Sequence, residues 1–306
     1  MNDKPLLTIA IPTYNRASYL EINLEQLFIN LKELEYPEQV EIIISDNAST
    51  DNTSFIVNKF RKYSLPIKYF RNEINLGFDG NFYNCYENAT GKYVWIFGDD
   101  ELLFNHSLAK IMDVLKNNDI GCLYLEGVSY ADTYDLNAYN MQPTETVKLI
   151  SSDEYIQKVH FYLTFCTGNI FNKSILPSNF DSKPYIGTNL IQVGWYLTAL
   201  NHTENNIILK EKYFYAKNAN TGGYKLFKTF STNFNLILKQ HTTPKHIRWI
   251  NNQLINSFFP IFLNQRQSFS KENGYLELFK NYYHYPCFWK KLVFKQLYKS
   301  IIKKLI

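Results

Sequence analysis

The sequence predicts an α/β protein in which a mostly parallel sheet is covered by helices on both faces and is followed by a helical extension. Short, β-branched apolar runs alternate with segments of helical spacing through the first two thirds of the chain. This alternation is typical of parallel strands joined by crossover helices. From about residue 226 the apolar spacing is helical to the end, so we predict a sheet domain over 1–225 and a helical region over 226–306.

The elements follow from hydrophobic period and from helix-opening residues. Residues 6–12 and 40–45 are short apolar runs, and four leucines between them recur at helical spacing. Ser49 and Asp51 are suited to open the second helix. The predicted strands are 6–12, 40–45, 67–70, 93–97, 121–130, 145–149, 167–172 and 207–215. The predicted helices are 17–34, one from about 51 through 60, 79–88, 106–117, 152–165 and 189–201.

Composition excludes several classes of protein. The 306 residues are 45% hydrophobic, which suits one or two globular cores. The four cysteines form no CxxC pair, so we expect neither zinc nor disulfides and a reducing, cytoplasmic setting. The apolar run near the N-terminus is too short for an export signal or a membrane span. The net charge is +4, and residues 287–306 alone contain six lysines and no acid. The positive charge is therefore concentrated in the last segment, which argues against a general nucleic-acid surface.

Polar stretches follow four successive predicted strands. They read PTYNR (12–16), SDNASTDNT (45–53), RNEINLGFDGN (71–81) and GDDE (98–101). In a parallel sheet the ligand lies beyond the carboxyl ends of the strands, where helix N-termini and loop amides converge. We therefore expect the binding site at these four stretches.

Two adjacent acids, Asp99 and Asp100, follow a strand that should be buried. Their carboxylates would repel each other unless a cation lies between them, and a divalent metal is the simplest choice. Oxygen ligands suit Mg²⁺ or Mn²⁺, with water and substrate phosphates filling the remaining positions. The alternative is a solvated turn that carries two surface acids.

The other stretches supply groups for a nucleotide. Tyr14 offers an aromatic face beside the hydroxyl of Thr13, and Asp46 can accept a hydrogen bond from a ring N–H, so together they suit a pyrimidine base. Core packing for Tyr14 and turn capping for Asp46 are the structural alternatives.

The third stretch suits a diphosphate. Arg71 can neutralise phosphate charge, and Asn75 with Gly77 allows close approach of the backbone. A surface charge is the alternative interpretation of Arg71. Suitable binding groups at four successive strand ends are much less likely to arise by chance than at one.

The motifs IAIPTYNR, IIISDNASTDNT, RNEINLGFDGNF and GKYVWIFGDDELL, in this order, resemble glycosyltransferase family 2 with the GT-A fold. The resemblance is specific over residues 5 to about 110 and weak beyond 215. By position it implies a donor site made of Pro12, Thr13, Tyr14, Arg16, Asp46, Asn47, Arg71, Asn75, Gly77, Asp99 and Asp100. The metal ligands it implies are Asp99, Asp100 and Glu101.

The resemblance also implies an activity. Relatives transfer a sugar from a nucleotide-diphosphate sugar, with Mn²⁺ or Mg²⁺ bridging the diphosphate. Similar sequences ending this strand in GDD include transferases of deoxy- or dideoxyhexoses. The implied setting is bacterial surface polysaccharide, such as O-antigen, capsule or lipooligosaccharide, with a glycan or lipid-linked acceptor.

Two departures from the family pattern concern metal and base. Many relatives carry an acid where this chain has Phe97, so metal binding rests on the acids that follow. Inverting relatives carry an acidic base at the start of a later helix, where this chain has Thr188, Asn189 and Gln192. Asp181, several residues earlier, is the remaining candidate base. We expect inversion, and a retaining outcome stays open.

The segment 217–225 is polar and contains the glycine pair Gly222 and Gly223. It is suited to close over the donor, with Lys217 or Lys225 contacting phosphate. An ordinary surface loop is the alternative.

The last segment, 288–306, predicts a basic amphipathic helix. Its apolar stripe consists of Phe294, Leu297, Tyr298, Ile301 and Leu305, and lysines recur every fourth residue between Lys291 and Lys303. Such a helix suits the anionic inner face of the cytoplasmic membrane, with Trp289 at the interface. Packing on the catalytic domain or on a second subunit, as a homodimer, is the alternative.

Two rival functions remain at this point. A nucleotide-sugar-binding or scaffold protein of the same fold, without turnover, would explain the missing acids. A nucleotidyltransferase would be expected to carry a glycine-rich phosphate loop near the first strand, and IPTYNR has none.

Overall fold

The structure is a computed structural model that describes residues 4–63, 65–130, 135, 147–217, 225–264 and 274–294. The described residues contain one eight-stranded sheet with the order β3-β2-β1-β4-β7-β6-β8-β5. The strands are β1 (Leu7–Thr13), β2 (Val40–Asp46), β3 (Ile67–Arg71), β4 (Tyr93–Ile96), β5 (Leu102–Leu103), β6 (Cys122–Tyr130), β7 (Asn169–Asn172) and β8 (Ile207–Lys217).

The first four strands are parallel, as predicted. β1 pairs with β2 and β4, and β2 pairs with β3, all in the same direction. The second half is mixed: β7 is antiparallel to β4 and β6, and the short β5 is antiparallel to β8. The carboxyl ends of β1 to β4 therefore meet at one edge, which is where the polar stretches were expected.

Helices connect and cover the strands. Those before residue 225 are α1 (Ala17–Lys32), α2 (Thr53–Lys62), α3 (Gly77–Asn88), α4 (Ser107–Asn117), α5 (Ser152–Val159) and α6 (Ile191–Leu200). Short 3₁₀ turns lie at Pro37–Gln39, His160–Thr164, Cys166–Gly168, Lys173–Ile175 and Lys183–Tyr185.

The core lies on both faces of the sheet because successive side chains of a strand point to opposite faces. On one face Ile9 and Ile42 pack in a buried cluster with residues of α1, α2 and α4. On the other face Ala10 and Ile43 pack in a second cluster with residues of α3, α5 and α6. Parallel strands buried on both sides explain why the sequence shows continuous apolar runs instead of strict alternation.

The described part of the C-terminal region consists of helical segments joined by short turns. Its helices are α7 (Leu226–Lys228), α8 (Phe234–His241), α9 (Pro244–Gln253), α10 (Phe259–Asn264), α11 (Gly274–Tyr282) and α12 (Pro286–Phe288). π-helical segments lie at Thr229–Asn233, Leu254–Phe258 and Trp289–Phe294. Phe234, Leu278 and Leu292 belong to the same buried cluster as α6, so the apolar core continues across the predicted boundary after residue 225. That boundary stays a prediction.

Two predicted elements were wrong in part. Residues 147–149 form no strand, and Ile150 makes only an isolated bridge with Asn206, while 145 and 146 lie outside the described residues. The helix predicted over 152–165 ends at Val159, because His160 takes a positive φ of 42° that interrupts helical hydrogen bonding.

Of the loop 217–225 the structure describes only its two ends, and the tail is described as far as Phe294. The glycine hinges and most of the predicted amphipathic stripe therefore lie outside the described residues. Within the described part of the chain, no helix combines the length and the apolar character needed to cross a bilayer.

Candidate active site

Three polar residues end three neighbouring strands side by side. Thr13 is paired with Asp46 across β1 and β2, and Asp46 is paired with Arg71 across β2 and β3. The strand β4, on the other side of β1, leads into Gly98 and the acids. The predicted stretches therefore converge on one edge of the sheet.

The acid pair is buried at this edge. Asp99 is 6% exposed and Asp100 is 4% exposed. Thr13 Oγ1 donates a hydrogen bond to Asp99 Oδ2 at 2.8 Å. Burial raises the pKa of Asp99 to about 7, against the opposing effect of Arg16. A solvated surface turn, the alternative interpretation of these acids, does not match this burial.

A protein cation lies between the two acids, which the sequence analysis did not expect. Arg16 Nε lies 3.0 Å from Asp99 Oδ1, and Arg16 Nη2 donates to Asp100 Oδ2. Burial lowers the pKa of Arg16, but the two carboxylates outweigh that effect and raise it above its ordinary value. Arg16 therefore stays positively charged and balances part of the charge of the pair.

Glu101, the third predicted metal ligand, interacts electrostatically with the acid pair. It is buried, its Oε2 has no hydrogen-bond partner, and burial raises its pKa well above the usual range. Among the described residues there is no group of three or more His, Cys, Asp or Glu side chains placed to hold a metal.

The remaining oxygens still fit a divalent ion of low protein ligand count. Asp99 Oδ1 and Asp100 Oδ2 converge on one position, the one that now holds the guanidinium. Two carboxylates, with water and phosphate oxygens as further ligands, are the usual set for Mg²⁺.

The loop that carries the acids is held by hydrogen bonds from three other elements. Asn23 Nδ2 donates to the carbonyls of Gly98 and Glu101 at 3.0 and 2.7 Å. Tyr130 OH donates to Asp100 O at 3.1 Å, and Gly98 N donates to Thr167 Oγ1 at 3.0 Å. The direction of the acids is therefore set before any ligand arrives.

On the nucleotide side, Asp46 is fully buried and already hydrogen-bonded. Its carboxylate accepts from Ser49 N at 2.8 Å and from Tyr69 OH at 2.6 Å, and Arg71 Nε lies 3.6 Å away. Tyr14 is 43% exposed, which excludes the core role that was its alternative. The ring is thus accessible to a base, while Asp46 also stabilises its own loop.

Asn47, Asn75 and Gly77 form one interlocked turn before α3. Asn47 Nδ2 donates to Asn75 Oδ1 at 2.8 Å and to Gly77 O at 3.1 Å. Gly77 has a φ of +73°, a conformation that favours glycine. These hydrogen bonds fix the turn that leads into α3.

Asp181, the predicted base, lies in an exposed turn. Its Oδ1 accepts a hydrogen bond from Lys183 N at 2.9 Å, which makes it a turn cap. Thr188 and Gln192 are buried near the start of α6. The structure therefore shows a structural role for Asp181 and no contact between it and the acid pair.

Sequence reasoning missed Asp79, in the first turn of α3. This carboxylate is 4% exposed and accepts hydrogen bonds from Gly187 N and Asn189 N at 2.7 Å and from Ile191 N at 3.2 Å. It holds the loop at the start of α6, where the family pattern places an acid. The available signal was an acid just inside a predicted helix, between Phe78 and Phe82.

Lys217, at the end of β8, lies beside the acid loop. Its Nζ is 4.9 Å from the ring centre of Tyr130 and 5.9 Å from that of Tyr19. The guanidinium of Arg16 lies 4.7 Å from the same Tyr19 ring. Two cations therefore share this side of the site.

Comparison with known proteins agrees with this geometry. Residues 8–176, more than half of the chain, match the model of the family described as "Glycosyl transferase family 2". Abequosyltransferase RfbV of Salmonella typhimurium is 46% identical over 111 residues, which are 36% of this chain and 32% of that protein. The chain thus spans about a third of the length of this relative.

A second relative aligns over nearly the full length. The GalNAc(5)-diNAcBac-PP-undecaprenol beta-1,3-glucosyltransferase of Campylobacter jejuni is 25% identical over 309 residues, covering 98% of this chain and 88% of that protein.

Solved structures show that the fold is GT-A. TarS of S. aureus in complex with UDP-GlcNAc has a TM-score of 0.61 at 16% identity, covering 90% of this chain and 80% of that chain. The mannosyltransferase PcManGT of Pyrobaculum calidifontis, in complex with GDP-Man and Mn²⁺, has a TM-score of 0.56 at 15% identity, covering 86% and 73%.

Proposed function

The chain belongs to glycosyl transferase family 2, and we propose that it transfers a sugar from a nucleotide-diphosphate sugar to a glycan or lipid-linked acceptor of a bacterial surface polysaccharide. The observation that carries this proposal is the buried Asp99–Asp100 pair at the strand edge shared with Thr13, Asp46 and Arg71. Two relatives with bacterial glycosyltransferase names support the setting.

The chain's own residues divide the donor between them. In this proposal Tyr14 offers its exposed ring to the base, and Asp46, at the end of β2, is the hydrogen-bond acceptor. Arg71, whose Nε lies 3.6 Å from Asp46 Oδ2, is proposed to bind the diphosphate. Base stacking on an aromatic ring contributes about 1–3 kcal/mol, so Tyr14 is the main contact to the base in this proposal.

Asp99 and Asp100 would hold a divalent metal, Mn²⁺ or Mg²⁺. A metal bound there supplies electrostatic stabilisation of the departing nucleoside diphosphate. Arg16 and Lys217 add positive charge on the same side of the site. Stabilisation of developing charge by groups already in place is a large part of catalysis in many enzymes.

Asp181 remains our candidate base for an inverting displacement, in which it accepts the proton of the acceptor hydroxyl. Asp181→Asn keeps the shape of the turn and removes the base. A loss of turnover of about 10²-fold or more, with donor binding unchanged, supports this role. Unchanged turnover excludes it and favours a retaining reaction or another base.

We test the donor site with a thermal-shift panel of UDP, GDP, CDP and dTDP, each with and without Mn²⁺. One nucleotide should stabilise the full chain in the presence of Mn²⁺, and Asp99→Asn should abolish the effect. Asp113→Asn, an exposed acid on α4, is the matched control and should behave as wild type. If no nucleotide stabilises the protein, the proposal fails.

One rival is favoured by a specific observation, the lack of an acid among Thr188, Asn189 and Gln192. It is a nucleotide-sugar-binding or scaffold protein without turnover. Nucleotide stabilisation without product from the matching sugar donor and lipid-linked or glycan acceptors would support this rival.

We further propose that the protein works at the inner face of the cytoplasmic membrane. The exposed side chains of Leu276, Phe279, Tyr283, Trp289 and Phe294, here called the aromatic patch, support this. Phe279 lies 5.6 Å from Tyr283 and 6.1 Å from Trp289 between ring centres, so the patch is continuous.

Exposed lysines Lys290 and Lys291 flank the aromatic patch, and residues 287–306 contain no acid. Tyr and Trp at an interface, together with lysines, suit an anionic lipid surface. Phe279→Ser with Phe294→Ser should weaken sedimentation with vesicles that contain an anionic lipid, and Phe55→Ser, exposed on α2, is the matched control.

Equal vesicle binding of the double variant and wild type would exclude the aromatic patch as the membrane contact. Dimer formation that is lost in the double variant, without vesicle binding, would instead favour a second subunit. A chain that ends at Pro286 tests the whole basic tail in the same way.

A further inference from the structure

Arg16 occupies the position where the two acids converge. Its side chain comes from the turn after β1, where Asn15 has a positive φ of 53°, and it ends between Asp99 Oδ1 and Asp100 Oδ2. The side chain is 28% exposed, whereas those of the acids are 8% and 4% exposed. The cation is therefore the more accessible member of this cluster.

The acids need a cation even when no ligand is bound. Two neighbouring carboxylates in a buried loop repel each other, and each loses hydration. The loop cannot relieve this by turning outward, because Asn23 and Tyr130 hold its carbonyls. Arg16, which contacts both carboxylates, is the group that holds the pair in place.

The same contact stands in the way of a metal. A guanidinium has five donors and no lone pair, so it cannot share a coordination sphere, and its charge repels a second cation at that position. A metal that binds both Asp99 Oδ1 and Asp100 Oδ2 requires Arg16 to leave.

A diphosphate offers Arg16 another partner. Guanidinium groups bind phosphate oxygens in a bidentate manner, and these charge-assisted bonds are strong. The ring of Tyr19 lies 4.7 Å from the guanidinium and 5.9 Å from Lys217 Nζ, so a second cation near Arg16 can bind the same anion.

We propose that Arg16 is a built-in counter-cation, which holds the acid pair in the empty protein and passes to the donor diphosphate as the metal takes its place. Metal and nucleotide then bind with positive coupling, and the metal alone binds weakly. This inference rests on the proposed function, because it assumes a metal and a nucleotide-diphosphate donor.

The test is a titration of Mn²⁺ followed by the electron paramagnetic resonance signal of the free ion, without and with the nucleoside diphosphate that stabilises the protein best. In the wild type, the nucleotide should tighten Mn²⁺ binding by roughly tenfold or more. Arg16→Gln should bind Mn²⁺ alone roughly tenfold more tightly than wild type and should lose most of the coupling.

Two further variants keep the test decisive. Arg248→Gln removes an exposed arginine of α9 and should match the wild type. Arg16→Lys keeps one positive charge beside the acids, and should bind Mn²⁺ alone with an affinity between those of wild type and Arg16→Gln. If Arg16→Gln does not fold, the proposal is tested by the Mn²⁺ affinity of Arg16→Lys and by the effect of nucleotide on Mn²⁺ binding to the wild type.

The outcomes separate this inference from the proposed function. Mn²⁺ binding alone that is unchanged or weaker in a folded Arg16→Gln overturns the role of Arg16, even if nucleotides bind normally. Tighter Mn²⁺ binding in the variant, with no nucleotide effect in any protein, supports the counter-cation but refutes the donor site. Absence of coupling in the wild type, with nucleotide bound, overturns the exchange.

Discussion

Asp79→Ala should destabilise the protein far more than its position in the first turn of α3 suggests. The substitution removes the carboxylate that accepts hydrogen bonds from the backbone N–H groups of Gly187, Asn189 and Ile191. These donors lie 108 to 112 residues away in the chain, so no local group replaces the lost acceptor.

The expected magnitude follows from these three bonds. A net contribution of about 1–1.5 kcal/mol for each gives about 3–4.5 kcal/mol for the set. Burial, the largest cause, raises the pKa of Asp79 despite the hydrogen bonds, so the ionised carboxylate carries a cost that alanine removes. We therefore expect a net loss of about 2–3 kcal/mol in the free energy of unfolding.

Urea unfolding at pH 7.5, followed by circular dichroism, measures this loss. Hydrogen exchange of peptides spanning 185–196 should also speed up, because the loop at the start of α6 loses its anchor. Asp181→Ala is the matched control, since that exposed carboxylate accepts one hydrogen bond, from Lys183. If the two variants unfold within about 0.5 kcal/mol of each other, the anchoring role of Asp79 is refuted.

Three further predictions concern other parts of the chain. Burial raises the pKa of Glu41, but the ion pair with Lys68 and further hydrogen bonds outweigh burial and lower the pKa below 4.5. The ionised carboxylate therefore stabilises the fold above that pH, and this stabilisation disappears in more acidic solution. Glu41→Gln should therefore be less stable than wild type at pH 7, and the difference in urea midpoint between the two should narrow as the pH falls below 4.5. A difference that stays constant with pH contradicts this. Asn23→Ala leaves the carbonyls of Gly98 and Glu101 without their side-chain donor. The variant should lose about 2–3 kcal/mol of stability in urea unfolding and should bind Mn²⁺ more weakly. Wild-type stability and Mn²⁺ affinity would exclude a role for Asn23 in holding the 98–101 loop. Tyr14→Ala should weaken nucleoside diphosphate binding, measured by calorimetry, roughly tenfold or more, and should leave the melting temperature of the free protein unchanged. An unchanged affinity would exclude stacking of the base on Tyr14.

The sequence predicted the layered fold because that information is local. Apolar runs and helical spacings lie within each element, so the four parallel strands and their helices could be predicted without knowledge of the tertiary contacts. The strand-end stretches were informative for the same reason, since parallel strands bring their carboxyl ends to one edge. The sequence did not reveal that β7 runs antiparallel, because a four-residue strand carries no sign of its direction.

The partners of the site residues required the tertiary structure. The sequence analysis named Arg16 as a donor contact, yet its pairing with Asp99 and Asp100 spans more than 80 residues and follows no period. The sequence predicted Asp181 as the base, and the structure adds that its carboxylate caps a turn by accepting a hydrogen bond from Lys183 N. The sequence did not predict that Asp79 of α3 holds the loop at the start of α6.

By itself, then, the sequence determined the GT-A core, the edge at which ligands are expected and the identity of the acid pair. The tertiary structure alone decided which charges meet: a guanidinium lies between the acids, Glu101 is buried without a partner for its Oε2, and Asp79 holds a distant loop. The physical reason is that hydrophobic periodicity is a local property, which can be detected within each short segment of the sequence. The pairing of buried charges and hydrogen bonds depends on which loops come together once the core has closed.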